Sequence, residues 1–183
     1  MKNKILFFLI TGAFLCTIVS CRKGEKDPFL SLTPRNVRLL KGEWILTKGE
    51  MKSVRDLNPT QNYTVSFSND LLTVMHPNNP GADTSMLYSM KLDFNKKGKF
   101  TYTVEMAQNI NFMEDYWSWQ KTEKGKTFLQ APISGRFILG GSLWRVVGLS
   151  SEKLYLEHSK TDVASSAMND LYHEEVFLEF EKK

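Results

Sequence analysis

Apolar and polar residues alternate with a period of two through most of the chain that follows residue 43. The pattern is clearest in residues 87–94 and 99–106, which flank the polar stretch 95–98. Because successive side chains of a β-strand point to opposite faces of the sheet, each segment predicts a strand with one buried face. Gly98 ends the stretch between them and can adopt the positive φ that a tight turn requires. The sequence therefore predicts a β-hairpin here.

The same alternation recurs along the chain. Further strands are predicted at residues 43–50, 63–67, 71–75, 113–122, 126–131, 142–149, 153–158 and 174–182. In the last segment, Val176, Leu178 and Phe180 are expected to face inward, with glutamates between them facing outward. Short strands separated by turn residues at this spacing predict an all-β fold. We expect an antiparallel up-and-down β-barrel of about eight to ten strands.

Two segments depart from the period of two and predict short helices. Residues 33–42 begin with Thr33 as a possible cap and Pro34 at the first helical position, and they end at Gly42. Residues 161–171 place apolar side chains at i, i+4 and i+8, which is a helical spacing. We expect the first helix to close one end of the barrel. The second is expected to lie outside the sheet, before the last strand.

Gly42 and Trp44 mark the start of the first strand. Gly42 suits the left-handed position past a helix end, and Trp44 is the first large apolar residue of the strand. We expect Trp44 to be buried inside the barrel.

Residues 1–20 have the features of a signal peptide. Lys2 and Lys4 precede a mostly apolar run of 15 residues, 5–19, which is shorter than the ~20 residues that span a bilayer. The residues that follow, Thr-Ile-Val-Ser-Cys at 17–21, resemble the bacterial lipoprotein box, in which a small residue precedes a cysteine. That resemblance implies cleavage before Cys21 and lipidation of its thiol. The alternative is an ordinary secretory leader followed by an incidental cysteine.

Charge and cysteine content narrow the classes of function. Lys2 and Lys4 lie in the leader, so its removal lowers the formal net charge from +4 to +2, and no nucleic-acid partner is expected. Cys16 would leave with the leader, so Cys21 alone would remain and no internal disulfide could form. We divide the chain into a signal peptide at 1–20, a lipidated cysteine and polar tether at 21–32, and a barrel domain at 33–183.

The arrangement of a short helix, a Gly-x-Trp strand, repeated hairpins and a closing strand resembles the lipocalin-like lipoproteins of Bacteroidota. The matching residues are Gly42, Glu43, Trp44 and Leu46, together with the strand–turn–strand unit at 91–100. The likeness spans roughly residues 33–182. It implies a closed or nearly closed barrel with a ligand cavity, anchored by lipid to the cell envelope, which we expect to be the outer membrane. It leaves open whether the protein faces the periplasm or the cell surface.

Aromatic and methionine side chains on the inward faces are the candidate lining of a cavity. The candidates are Tyr88, Met90, Phe94, Phe100, Tyr102, Met106, Trp117 and Trp119. Trp117 and Trp119 are two positions apart, so on one strand they would share a face. Aromatic rings supply large apolar area with a polar handle, and methionine adapts to irregular partners. Ordinary core packing is the alternative role for all of them.

No catalytic, cofactor or metal set is expected. His173 and Glu175 could share one strand face, but a third ligand such as His158 would have to come from a neighbouring strand. Ser142 follows two glycines without the Gly-x-Ser-x-Gly pattern of a nucleophile. Two hypotheses remain for a monomeric, non-enzymatic protein. The barrel binds a small apolar or amphipathic ligand, or the barrel is filled and its loops dock a protein partner.

Overall fold

The computed structural model describes residues 25–28, 33–40, 42–121, 127–133, 143–165 and 170–183. One short helix, α1 (Arg35–Leu39), precedes the sheet, and two single 3-10 turns lie at Pro59–Gln61 and Pro80–Ala82. The strands are β1 (Trp44–Arg55), β2 (Tyr63–Ser68), β3 (Leu71–Met75), β4 (Thr84–Phe94), β5 (Lys99–Met106), β6 (Asn109–Tyr116), β7 (Ser118–Lys121), β8 (Thr127–Gln130), β9 (Leu143–Leu149), β10 (Lys153–Ser165) and β11 (Asp170–Lys182).

The strands form one antiparallel sheet in which each strand is paired with its neighbours along the chain, except that β6 and β7 lie at the two edges of the strand order. The order is β6-β5-β4-β3-β2-β1-β11-β10-β9-β8-β7. The first and last strands, β1 and β11, are therefore paired with each other in the middle of the sheet. The start of β1 also pairs with the end of β4, at Trp44↔Leu92 and Ile45↔Lys91, just past the end of the β2–β3 hairpin. The predicted all-β, antiparallel, up-and-down architecture is confirmed, with eleven strands in the described ranges.

The β2–β3, β4–β5 and β9–β10 turns lie where the sequence predicts them. The strands of the clearest pair meet at Phe94↔Phe100, and Gly98 has a φ of +79°. In the β2–β3 turn, Asn69 and Asp70 adopt φ values of 51° and 62°, which short polar side chains tolerate better than β-branched ones. The predicted strand at 113–122 is divided, because Trp117 separates β6 from β7.

The predicted helix at 161–171 is wrong. The structure places 161–165 in β10 and residues 170 and 171 in β11, and residues 166–169 lie outside the described part of the chain. Thr161 pairs with His173, and Asp162 pairs with Tyr172. The backbone groups of this segment are bonded across a long hairpin, so tertiary pairing overrides a weak helical spacing.

Helix α1 covers one end of the sheet interior. Gly42 has a φ of +90°, as expected for a residue past a helix end, and the chain then enters β1. Trp44 is fully buried, and its indole Nε1 donates a hydrogen bond to the carbonyl oxygen of Leu39 at 2.9 Å. The predicted burial of Trp44 is confirmed, and this contact fixes α1 to the sheet.

Strand β6 forms one edge of the sheet. All but one of its residues are exposed, including Ile110, Phe112 and Tyr116 on the outer face. No helix in the described ranges is long and apolar enough to cross a membrane.

Candidate functional site

The inward face of the sheet changes from apolar to polar along the length of its central strands. On β11 the inward residues Phe180, Leu178 and Val176 are followed by Glu174 and Tyr172. A parallel change occurs on β10, where Leu154 and Leu156 give way to His158 and Lys160. On β1, Met51 is followed by Ser53, which pairs with Glu174. The interior is therefore apolar at the α1 end and polar at the opposite end.

Glu174 is the most deeply buried carboxylate of the polar end. Only 1% of this residue is exposed to solvent. One carboxylate oxygen, Oε2, accepts a hydrogen bond from the Tyr172 hydroxyl, and Oε1 has no partner within the described residues. Burial raises the pKa of Glu174, against the opposing effects of the Tyr172 hydrogen bond and the charges of His158 and Lys160. A buried acceptor with unused capacity is costly unless something satisfies it.

Two further polar atoms lie unpartnered on the adjacent strands. His158 pairs in register with Val176, one inward position from Glu174, and its ring centroid lies 5.3 Å from that of Trp144. The Nδ1 of His158 lies 3.0 Å from the Leu143 carbonyl oxygen and donates to it, because a carbonyl can only accept. The Nε2 of His158 is buried without a partner in the described residues. The Nε1 donor of Trp144 is also unpartnered in the described part of the chain.

A cavity of about 580 Å³ opens at this polar end. Its lining includes Ser53, Arg55, Tyr63, His76, Lys160 and Tyr172. The Tyr63 hydroxyl is hydrogen-bonded to Ser53 and Tyr172, and burial raises the pKa of Tyr63. Since Tyr172 contacts both the cavity and Glu174, the buried carboxylate lies directly behind the cavity wall. This arrangement can bind a molecule that offers hydrogen-bond donors and acceptors.

The residues predicted to line a cavity lie elsewhere. Tyr88, Met90, Phe94, Phe100, Tyr102 and Met106 are all buried on β4 and β5. Their aromatic rings pack on one another, with ring centroids 5.7 Å apart for Phe94 and Phe100 and 6.2 Å apart for Phe100 and Tyr102. None of the six lines the cavity at the polar end, and their role in ligand binding stays a prediction. The Tyr88 hydroxyl is buried without a partner there, and burial raises its pKa.

Trp117 and Trp119 pack against the same core from its β7 side. Their rings meet edge to face with centroids 6.3 Å apart, and Trp117 meets Phe94 in the same manner at 5.7 Å. The indole Nε1 of Trp117 donates to the Asn95 carbonyl oxygen at 3.1 Å. These contacts place both tryptophans near the β4–β5 turn and away from the polar end of the interior. Their role in ligand binding stays a prediction.

Glu174 was missed as a site residue, although the sequence carries a signal for it. It has the same parity as Val176, Leu178 and Phe180, so the alternation that places those residues inward also places Glu174 inward. Tyr172 follows the same rule. Their neighbours His173 and Glu175 face the other side of the sheet, away from His158.

The considered group of His158, His173 and Glu175 is therefore not assembled. His173 instead lies beside Thr161, with its Nδ1 3.0 Å from the hydroxyl oxygen, and its Nε2 lies 3.6 Å from a carboxylate oxygen of Asp56. Among the residues that the structure describes, no three His, Cys, Asp or Glu side chains are grouped as a metal site requires. Cys21 lies outside the described residues.

Comparison with known proteins adds one structural likeness. No family model matches the chain, and no curated protein matches it in sequence. A solved structure of a deswapped triple mutant of bovine odorant-binding protein is 13% identical, with 80% of this chain and 74% of that chain covered at a TM-score of 0.33. At so low a TM-score, the architecture has to be argued from the strands and their pairing.

Proposed function

We propose that this protein binds a small amphipathic ligand at the polar end of a lipocalin-like barrel. Glu174 is the observation that carries the proposal. Its carboxylate is buried, has an oxygen without a partner among the described residues, and lies behind the wall of a cavity of about 580 Å³. A ligand pocket typically combines apolar walls with a few placed polar groups, and this end of the interior has both.

The chemistry of the unpartnered atoms sets what the ligand head must offer. The Glu174 Oε1 accepts hydrogen bonds, and the Trp144 Nε1 donates one. A hydroxyl group can donate and accept at once, so it can satisfy atoms of both kinds. Deeper along the same face lie Met51 and Val176, which favour an apolar portion of the ligand.

Thermal stability and native mass spectrometry test the ligand proposal. Protein purified from its native host should carry a co-purifying molecule, and adding back that molecule should raise the melting temperature, because it binds the folded state. Glu174→Gln should reduce the thermal shift. Glu175→Gln changes the neighbouring carboxylate on the outer face and should leave the shift unchanged. An empty protein with no shift from alkanols, sterols or isoprenoid alcohols would reject the proposal.

We further propose that the protein is a lipoprotein anchored to the cell envelope, at the outer membrane, through Cys21. The support is the basic and apolar leader and the resemblance of residues 17–21 to the lipoprotein box. Two acyl signals on one cysteine give stable membrane attachment, whereas a single chain is marginal. Cells fed a clickable fatty acid should label the wild-type protein and not Cys21→Ser. Equal labelling of the two proteins, or none of either, would exclude lipidation.

A protein-docking role is the second candidate, and the exposed strand β6 favours it. Ile110 is 70% exposed and Phe112 is 67% exposed on an eight-residue edge strand. Exposed apolar edges are templates for pairing with another chain. Chemical crosslinking in the native host should then identify one partner that Phe112→Lys loses and that Lys97→Glu, a change in the β4–β5 turn, retains. Identical crosslinks in both variants would reject this role.

A further inference from the structure

Arg55 brings a positive charge without an ion pair to the cavity at the polar end. It has the same parity on β1 as Met51 and Ser53, so its side chain faces the interior, and it lines the cavity. The residue is partly buried, and its guanidinium has neither a salt bridge nor a hydrogen bond in the described part of the chain. Because a guanidinium does not lose its proton in proteins, this positive charge is fixed.

The other charged side chains around the cavity are matched to one another. The cavity lining includes Arg55, Lys160 and Asp162, and the Lys160 ammonium lies 2.8 Å from an Asp162 carboxylate oxygen. Glu174 lies behind the wall, and the charges that act on its carboxylate are those of His158 and Lys160 rather than that of Arg55. The described lining therefore carries one positive charge that no described carboxylate neutralises.

Backbone contacts hold Arg55 at the rim of the cavity. Its N–H donates to the Asn62 Oδ1 at 2.7 Å, and the residue pairs in register with Tyr172 on β11. Burial raises the pKa of Tyr63, and the nearby positive charge of Arg55 opposes that shift. The Tyr172 hydroxyl in turn donates to Glu174. The guanidinium is therefore close to the hydroxyl groups that lead from the cavity to the buried carboxylate.

Two loops that contribute to the cavity wall bring no charge that could pair with Arg55. The Asn78 Nδ2 donates to the Pro59 carbonyl oxygen at 2.6 Å and so joins the 3-10 turn at Pro59–Gln61 to the loop after β3. The loop residues that line the cavity are Thr60, Gln61, Asn79 and Ala82. Their side chains can form hydrogen bonds, but none of them can neutralise a guanidinium. His76 also lines the cavity and can only add positive charge.

A carboxylate is the head group that matches one free guanidinium. The planar fork of arginine donates two parallel hydrogen bonds to a carboxylate or a phosphate. A carboxylate brings a single negative charge, equal to the unneutralised charge of the described lining. A phosphate monoester brings about −1.5 to −2 at pH 7, which exceeds it. A ligand with only a hydroxyl head would leave Arg55 unpaired.

We propose that the ligand of this cavity is an amphipathic carboxylic acid, bound as its anion, and that Arg55 selects the anionic head. This proposal rests on the proposed binding of an amphipathic ligand at the polar end, and it names the charge of that ligand. A charged head at the rim keeps a lower desolvation penalty than a fully buried one. The apolar chain would extend toward Met51 and Val176. A hydroxyl on the same ligand can still bind Glu174, two residues along β11 from the partner of Arg55.

Three probes with one straight chain length and different heads test the charge of the ligand. They are decanoate, decanol and decyltrimethylammonium, and isothermal titration calorimetry with the purified full chain measures each affinity. Wild type should bind decanoate about tenfold more tightly than decanol, as expected for a hydrogen-bonded ion pair, and should bind the cation most weakly. Arg55→Gln should bind decanoate and decanol equally. Lys52→Gln removes a positive charge from the outer face of the same strand and should keep the wild-type preference.

The outcomes separate this proposal from the one on which it rests. Wild type that binds decanol as tightly as decanoate, or binds the cation most tightly, would overturn the carboxylate assignment and leave the binding of an amphipathic ligand standing. An equal loss of preference in Arg55→Gln and Lys52→Gln would overturn the role of Arg55. No binding of any probe would overturn both proposals. The comparison of probes on wild type needs no variant, so it decides the matter even where Arg55→Gln fails to fold.

Discussion

The two ends of the sheet interior use buried polar groups in opposite ways. At the α1 end, the Trp44 indole donates to Leu39, and the Lys182 ammonium lies 4.2 Å from the Trp44 ring centroid while donating to the Arg38 carbonyl oxygen at 2.8 Å. At the opposite end, Glu174 and His158 each keep a buried atom without a partner in the described residues. At the α1 end, three guanidinium nitrogens of Arg35 and Arg38 are also unpartnered in the described part of the chain, but both side chains pair with the Asp27 carboxylate, at 2.8 Å and 3.7 Å. Glu174 has no such ion pair in the described residues, and a buried acceptor with unused bonding capacity is what a binding site needs.

Trp44→Ala should produce the largest loss and so tests the stabilising end most directly. Removing a large, fully buried aromatic side chain costs about 3–5 kcal/mol, and here it also removes the bond to α1. Urea unfolding followed by circular dichroism measures the change. Trp44→Phe, which retains most of the apolar volume, should lose less. An unfolding midpoint equal to wild type would contradict the assignment of this end as the stable one.

Asp27→Asn should produce the next largest loss. Arg35 and Arg38 are both buried, and Asp27 lies 2.8 Å and 3.7 Å from them. Removing one partner of a buried ionic group costs about 3–5 kcal/mol, since charges are left uncompensated. Glu25→Gln is the matched control. Its carboxylate is exposed, so its loss should stay within about 1 kcal/mol. Similar losses in the two variants would show that residues 25–28 are held weakly.

The residues behind these two losses also show what could be predicted from the sequence alone. Strict alternation of apolar residues predicts which faces of β4, β5 and β11 are buried, because a period of two places all of the apolar side chains on one face of the strand. It could not reveal the burial of Asp27. One aspartate within a polar stretch looks solvated until the strand that donates to it, more than a hundred residues away, is placed beside it. The helix predicted at 161–171 was wrong for a different reason. Thr161 pairs with His173 in the adjacent half of the same hairpin, and three apolar residues at a helical spacing are too weak a pattern to exclude such a pairing.

Glu174→Gln should stabilise the protein and change its response to pH. Burial raises the pKa of Glu174 in the folded state, so the folded protein holds a proton that the unfolded chain has released. Wild-type stability should therefore fall as pH rises from the ordinary carboxyl pKa to the raised folded value. Glutamine resembles the neutral acid and removes this loss.

Melting curves of wild type and Glu174→Gln at pH 4 and pH 8 measure the effect. The variant should melt a few degrees higher at pH 8, and the difference should shrink at pH 4. Glu175→Gln, on the outer face, should give no such pH-dependent difference. A constant offset between wild type and Glu174→Gln at both pH values would mean that the carboxylate finds a partner when charged.

Lys160→Gln should have the smallest effect on stability, and that makes it informative about the polar end. The Lys160 ammonium lies 2.8 Å from an Asp162 carboxylate oxygen, but both side chains are about half exposed, at 48% and 57%. Exposed ion pairs contribute little to stability, so the unfolding midpoint should barely move. Lys160 nevertheless lines the cavity and acts on the Glu174 charge. A binding role for this end predicts that Lys160→Gln changes the thermal shift caused by the co-purified ligand while leaving the ligand-free protein unchanged. A loss of stability in the ligand-free protein would instead show that Lys160, like the residues at the α1 end, stabilises the fold.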